Sequence, residues 1–146
     1  MYKTAVVLHH SLTSDSQTVS WNAIRKYHTE TLGWKDIGYH LGVELVGDAY
    51  EVMLGRAINE TGAHCKEQNM NTYGLGVVFI GNYDELEPPV EMLKMMARHL
   101  APMMFLMGIE PSRGSVKMHR DYANYKSCPG LKFPYELFLN MLIGEL

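Results

Sequence analysis

A chain of 146 residues with 13 basic and 16 acidic side chains, net charge −3, is the size of one domain (1–146) and has no block of positive charge to follow a phosphate backbone. Its 47% apolar and 20% charged content is that of an ordinary globular protein, which excludes disordered and fibrous classes. No apolar run is long enough to span a bilayer and no secretory signal is visible. The expectation is a cytosolic monomer on synthesis, with no nucleic-acid partner and no membrane insertion.

Residues 4–10 are apolar and β-branched and predict a buried strand, followed by a polar loop over 11–17. Residues 19–32 predict a helix, with Trp21, Ile24, Tyr27 and Leu32 near helical spacing, Arg25-Lys26 on its solvated side and Gly33 as its stop. Residues 39–46 and 50–54 predict two strands joined by a Gly47-Asp48 turn. The stretch 55–72 has no period, and a loop of that length in a small domain signals function. Another buried strand is expected over 75–80. Pro88-Pro89 then opens a helix whose apolar face is Val90, Leu93, Met96, Ala97 and Leu100. Pro102 predicts a kink or an early end; most of the methionines from Met92 to Met107 read as core, and Met103, Met104 and Met107, beyond the proline, are the ones whose exposure is open. A short strand over 116–119 and a helix over 135–143 close the chain. Interleaved strands and helices predict an α/β or α+β domain in three layers.

Three reactive side chains, His119, Lys126 and Cys128, lie in one short segment, Met118-His119-Arg120-Asp121 leading to Lys126-Ser127-Cys128-Pro129-Gly130. A further histidine comes from Val6-Val7-Leu8-His9-His10, where strand alternation lets only one of His9 and His10 face a given site. Two imidazoles and one thiolate hold zinc with a fourth position open, the ligand set of a hydrolase rather than of a structural zinc. No His-Glu-x-x-His helix is present, and Glu44 and Glu51 on the hairpin read as solvated. His28, His40 and His99 read as core-edge or surface residues. Cys65 reads as a small semi-buried thiol, neither a metal ligand nor half of a bond to Cys128.

The motifs taken together resemble the zinc-dependent N-acetylmuramoyl-L-alanine amidases, the family shared by phage lysozymes of the amidase class and peptidoglycan recognition proteins. They are Val7-Leu8-His9-His10-Ser11, Gly33-Trp34-Lys35-Asp36-Ile37-Gly38-Tyr39-His40, Gly55-Arg56, Gly62-Ala63-His64, Gly74-Leu75-Gly76-Val77-Val78-Phe79-Ile80-Gly81-Asn82-Tyr83, and the His119 to Gly130 segment, in the family's order. The resemblance implies an α/β fold with a central mixed sheet of about five strands flanked by about three helices. It implies Zn2+ on His9, His119 and Cys128, a catalytic pair in Tyr39 and Lys126, and His64 in the substrate groove beside the metal. The implied reaction is hydrolysis of the amide between N-acetylmuramic acid and L-alanine in peptidoglycan, by a phage or prophage endolysin acting on the wall after release. A peptidoglycan-binding module without catalysis and a bacterial recycling amidase are the alternatives. Cys128 speaks against both, because recognition-only relatives commonly carry serine there and recycling enzymes aspartate. Residues 39–56 read as a few residues longer than in compact phage members, and no wall-targeting domain is recognisable.

Overall fold

The computed structural model describes residues 2–13 and 21–145, so residues 14–17 of the expected loop and Val19 and Ser20 of the expected helix lie outside the described residues. Five strands form one mixed sheet in the order β3-β2-β4-β1-β5: β1 (Ala5–His10), β2 (Leu41–Val46), β3 (Ala49–Leu54), β4 (Gly74–Phe79) and β5 (Val116–Met118). β1 runs parallel to both β4 and β5, β2 parallel to β4, and only the β2–β3 hairpin is antiparallel. Every residue of β1 and β4 is buried, as expected for central strands covered on both faces.

Alternation divides the sheet into two unlike faces. Val6 and Leu8 of β1 face one side with Leu75, Val77 and Phe79 of β4, and against them pack α3 (Val90–Leu106) and α5 (Tyr135–Gly144). Phe79, Phe133 and Phe138 meet there edge to face, with centroids 5.0 to 6.0 Å apart. The opposite face carries His9 in register with Val78, and Gly42 next to Val78 on the other side. A Cβ at Gly42 would collide with the Trp21 ring from α1 (Trp21–Lys26), and one at Gly76 would collide with the His64 ring. Glycine here lets flat rings lie directly on the sheet. The three layers are those predicted.

Several local expectations are corrected. α1 widens after Lys26 into a π-helical turn (Tyr27–Thr31), closed where Leu32 N–H donates to the Tyr27 carbonyl at 3.1 Å; Tyr27 and Leu32 are exposed, so only Trp21 anchors the helix fully. Arg25, expected to be solvated, pairs with Asp36 at 2.9 Å, whereas Lys26 is exposed. Glu44 is buried: its carboxylate accepts the Trp21 N–H at 2.9 Å, satisfying one of the free amides of the first turn of α1. Glu51 is exposed as expected. The aperiodic stretch ends in a 3-10 turn (Glu67–Asn69) and α2 (Met70–Tyr73). α3 continues through Pro102 to Leu106 rather than ending early, with Pro102 exposed and Ala101 and Met104 buried. Met104 is in the core, Met103 and Met107 are half-buried against it, and the exposed side chains are Phe105 and Leu106. His40 is fully buried rather than at an edge, its Nδ1 accepting from Gly76 N–H at 3.0 Å and its Nε2 lying 2.9 Å from the Glu60 carbonyl.

Candidate metal centre

The parallel strands β1 and β5 end at the same edge, the usual place for a site in a sheet of this kind. His9 is the penultimate residue of β1; His119 follows β5 immediately, as the first residue of α4 (His119–Tyr122) rather than the last of the strand. The loop after α4 returns Cys128 to them. Arg120 secures that loop, its N–H donating to the Cys128 carbonyl at 2.9 Å and its Nη1 to the carbonyls of Ser127 and Gly130 at 3.1 and 2.9 Å. Asp84 adds two bonds, accepting from Ser127 Oγ at 2.8 Å and Leu131 N–H at 2.9 Å.

The ligand atoms of His9, His119 and Cys128 all lie within 4.8 Å of one another, and all three residues are buried. His9 Nδ1 stands 3.6 Å from Cys128 Sγ, close to the ~3.5 Å separation of two donors on one tetrahedral ion. Two nitrogens and one sulfur are a donor set that suits zinc and leaves one vertex vacant. The residues fit the metal.

Hydrogen bonds fix the tautomer of His9. His64 Nε2 lies 3.2 Å from the Gly74 carbonyl, which can only accept, so that nitrogen carries the proton. His64 Nδ1 is then an acceptor, and it takes the proton of His9 Nε2 at 3.0 Å. His9 Nδ1 is left with its lone pair directed toward Cys128. His64, expected in the groove, therefore spends its ring on the metal-facing histidine while its edge lines the cleft.

Burial, reinforced by neighbouring His64 and His119, holds His9 well below the ordinary histidine range, and burial and His40 push His64 down to about 3. Burial also lowers His119, and Lys126 adds to it. Both imidazoles of the triad are neutral and ready to donate lone pairs. Burial pushes the Cys128 thiol up to about 12, so a metal entering here must displace its proton. The His10 N–H donates to Cys128 Sγ at 3.4 Å while its ring accepts from Tyr83 N–H at 3.1 Å, which places the ring away from the triad as expected.

The triad floors a cleft of about 480 Å³ whose walls also carry Tyr39, His64 and Lys126, so all six predicted site residues meet in one place. The Tyr39 ring lies 5.3 Å from that of His9; burial, and next the Cys128 charge, raise its pKa and keep the phenol protonated. Lys126 is exposed at the rim, its Nζ 5.9 Å from the centre of the Tyr125 ring. Trp34, His28, Tyr125 and Glu67 border the cleft or its extension and were missed. For Tyr125 and Glu67 the available signals are the neighbouring Lys126 and the long aperiodic stretch; His28 gives none, because its partner, Gly38 N–H at 3.0 Å, lies outside its own helix. Both cysteines are free, buried thiols.

The N-acetylmuramoyl-L-alanine amidase family profile matches residues 2–131, and the chain belongs to that family. The chain is 39% identical over 94 residues to peptidoglycan-recognition protein SC1a of Drosophila melanogaster, covering 60% of this chain and 48% of that protein. It is 37% identical over 81 residues to the endolysin of Escherichia phage T7, covering 56% of this chain and 50% of the endolysin. The aligned region thus spans about half of each relative. Among solved structures, the N-acetylmuramoyl-L-alanine amidase LysC from Clostridium intestinale superposes with a TM-score of 0.80 over 97% of this chain and 86% of its own, at 24% identity, a likeness of fold.

Proposed function

We propose that the protein is a zinc-dependent N-acetylmuramoyl-L-alanine amidase that cuts the bond between the lactyl carbonyl of N-acetylmuramic acid and the amine of L-alanine in peptidoglycan. The observation that carries this reading is the buried His9–His119–Cys128 triad at the floor of an open cleft, with Tyr39 and Lys126 on its walls. Family membership supports the substrate class.

Bound zinc would supply Lewis acidity toward the amide carbonyl and a water acidic enough to ionise near pH 7. The residues of the chain do the rest. His9 and His119 present lone pairs as neutral imidazoles, and Cys128 contributes a thiolate that keeps one net positive charge on the centre. Tyr39, held protonated, donates a hydrogen bond to the oxygen on which negative charge gathers as the carbonyl becomes tetrahedral. Lys126, at the rim of the same cleft, neutralises that charge and can deliver a proton to the departing amine. Trp34 and His28 give the groove an aromatic wall for the sugar and stem peptide.

The test is digestion of purified murein by the zinc-loaded protein, with mass spectrometry of the products. New L-alanine amino termini and intact muramyl lactyl groups are expected. Binding to murein with no bond cut is the outcome of a recognition module and contradicts the reading. The endolysin role is the finer form of the proposal: the protein made inside a bacterium lyses it only once the inner membrane is permeabilised. Lysis without permeabilisation argues against it.

A further inference from the structure

His9 and His119 reach the triad with different support. His9 is oriented by a neutral relay through His64 to the Gly74 carbonyl. His119 faces a carboxylate: Glu67 Oε2 lies 3.8 Å from its Nε2, with the imidazole side chain 8% exposed and the carboxylate side chain 19%. Glu67 is itself held from two sides. Its Oε1 accepts the Tyr125 hydroxyl at 2.6 Å, and its Oε2 receives the Cys65 thiol at 3.5 Å. The backbone that carries it is a tight turn in which Gln68 and Asn69 adopt φ of 50° and 59°. The turn is pinned by Asn71, whose side-chain oxygen accepts the N–H groups of His64 and Cys65 at 2.6 and 2.7 Å. One turn therefore places both residues that back the two histidines, His64 and Glu67.

We propose, resting on the zinc reading above, that Glu67 is the positioning residue of His119: its carboxylate accepts a hydrogen bond from the ring's Nε2–H, which leaves the Nδ1 lone pair to face the metal. The 3.8 Å separation is longer than a hydrogen bond, and on this proposal it shortens to one when the metal holds the ring. A charged acceptor does more than a carbonyl can, since it raises the basicity of the ligating nitrogen as well as fixing its tautomer. Tyr125 holds that carboxylate in place. Because Tyr125 adjoins Lys126, the Tyr125–Glu67 bond also ties the rim lysine to the ligand's support.

The same atoms allow one rival use. Cys65, Glu67 and His119 bring ligand atoms within 4.8 Å of one another, a set that could take an ion of its own. Such an ion would occupy His119 Nε2 and remove the proton whose hydrogen bond Glu67 is proposed to accept.

The experiment measures zinc stoichiometry and affinity by chelator competition, and the visible spectrum of the cobalt-substituted protein, for wild type, Glu67→Ala, Glu67→Gln, Tyr125→Phe and Cys65→Ser. Near-ultraviolet circular dichroism checks that each variant is folded. Wild type should take one equivalent. Glu67→Ala should lose about 10- to 100-fold in affinity with an altered cobalt spectrum. Glu67→Gln, which keeps an acceptor but not the charge, should fall between, and Tyr125→Phe should lose less. Folded Glu67→Ala with wild-type affinity and spectrum overturns the positioning role alone. Two equivalents in wild type, one of them lost in Cys65→Ser, overturn it in favour of the rival site. Wild type that binds no zinc overturns both this inference and the function beneath it.

Discussion

The two faces of the sheet solve different problems. Toward α3 and α5 the strands present Val, Leu and Phe, interlocked with Met92, Met96, Leu100 and Phe138. Toward the cleft they present His9 and two glycines, and the space is filled by the rings of Trp21 and His64. The first face is held by removal of apolar area from water. The second buries His9, His40 and His64, and among the described residues no buried side-chain nitrogen or oxygen lacks a hydrogen-bond partner. The first face thus carries most of the apolar core, and the second carries the reactive groups beside a smaller cluster of Trp21, Ile37, Val78 and Ile80; a change of a metal-facing side chain should leave that packing largely intact.

The largest separation is expected from Cys128→Ser. It should abolish amidase activity and sharply lower zinc occupancy while the unfolding midpoint of the metal-free protein barely moves. Normal clearing of murein by this variant would remove Cys128 from the chemistry. The mirror experiment is Phe138→Ala on the apolar face, with a loss of about 3–5 kcal/mol in urea unfolding and unchanged zinc affinity in the folded fraction. A loss under about 1 kcal/mol would mean that the aromatic trio is not the anchor it looks to be.

A third test sharpens the comparison through pH. Burial holds His40 at about 4 against an ordinary value of 6.5. The folded protein thus keeps this ring neutral where the unfolded chain protonates it. Its contribution to stability is complete above pH 6.5 and is lost as pH falls through the window toward 4, by about 3 kcal/mol. His40→Gln retains an acceptor and a donor but cannot titrate, so its stability should fall less than that of wild type between pH 7 and 4. Parallel pH profiles for the two would contradict this. The smallest effect is expected from Lys126→Ala at the rim: zinc retained, stability unchanged, and turnover down about a hundredfold. Unchanged turnover would take the lysine out of the mechanism.

Much of this arrangement was legible in the sequence, for identifiable reasons. The runs at 5–10 and 74–79 are apolar and β-branched because central parallel strands are covered on both sides, and that pattern survives in one dimension. The three triad residues were legible because His9 and His119 sit at or just past strand ends and Cys128 follows in the same motif as His119. Glu44 was misjudged because its partner, the Trp21 amide, is distant in sequence; the bond from His64 to His9, 55 residues away, is hidden in the same way. The early end expected at Pro102 does not occur, since α3 continues to Leu106 with Ala101 and Met104 packed in the core on either side of it. Glu67 had no periodicity to betray it, since it sits in a turn set by two left-handed residues.

X-ray absorption at the zinc edge of the loaded protein tests the central claim most directly. The account predicts two nitrogen scatterers at about 2.0–2.1 Å, one sulfur at about 2.3 Å and one exchangeable light atom. The sulfur should vanish in Cys128→Ser and the nitrogens should remain. A shell without sulfur in the unaltered protein, or one closed by a fourth protein ligand, would contradict it.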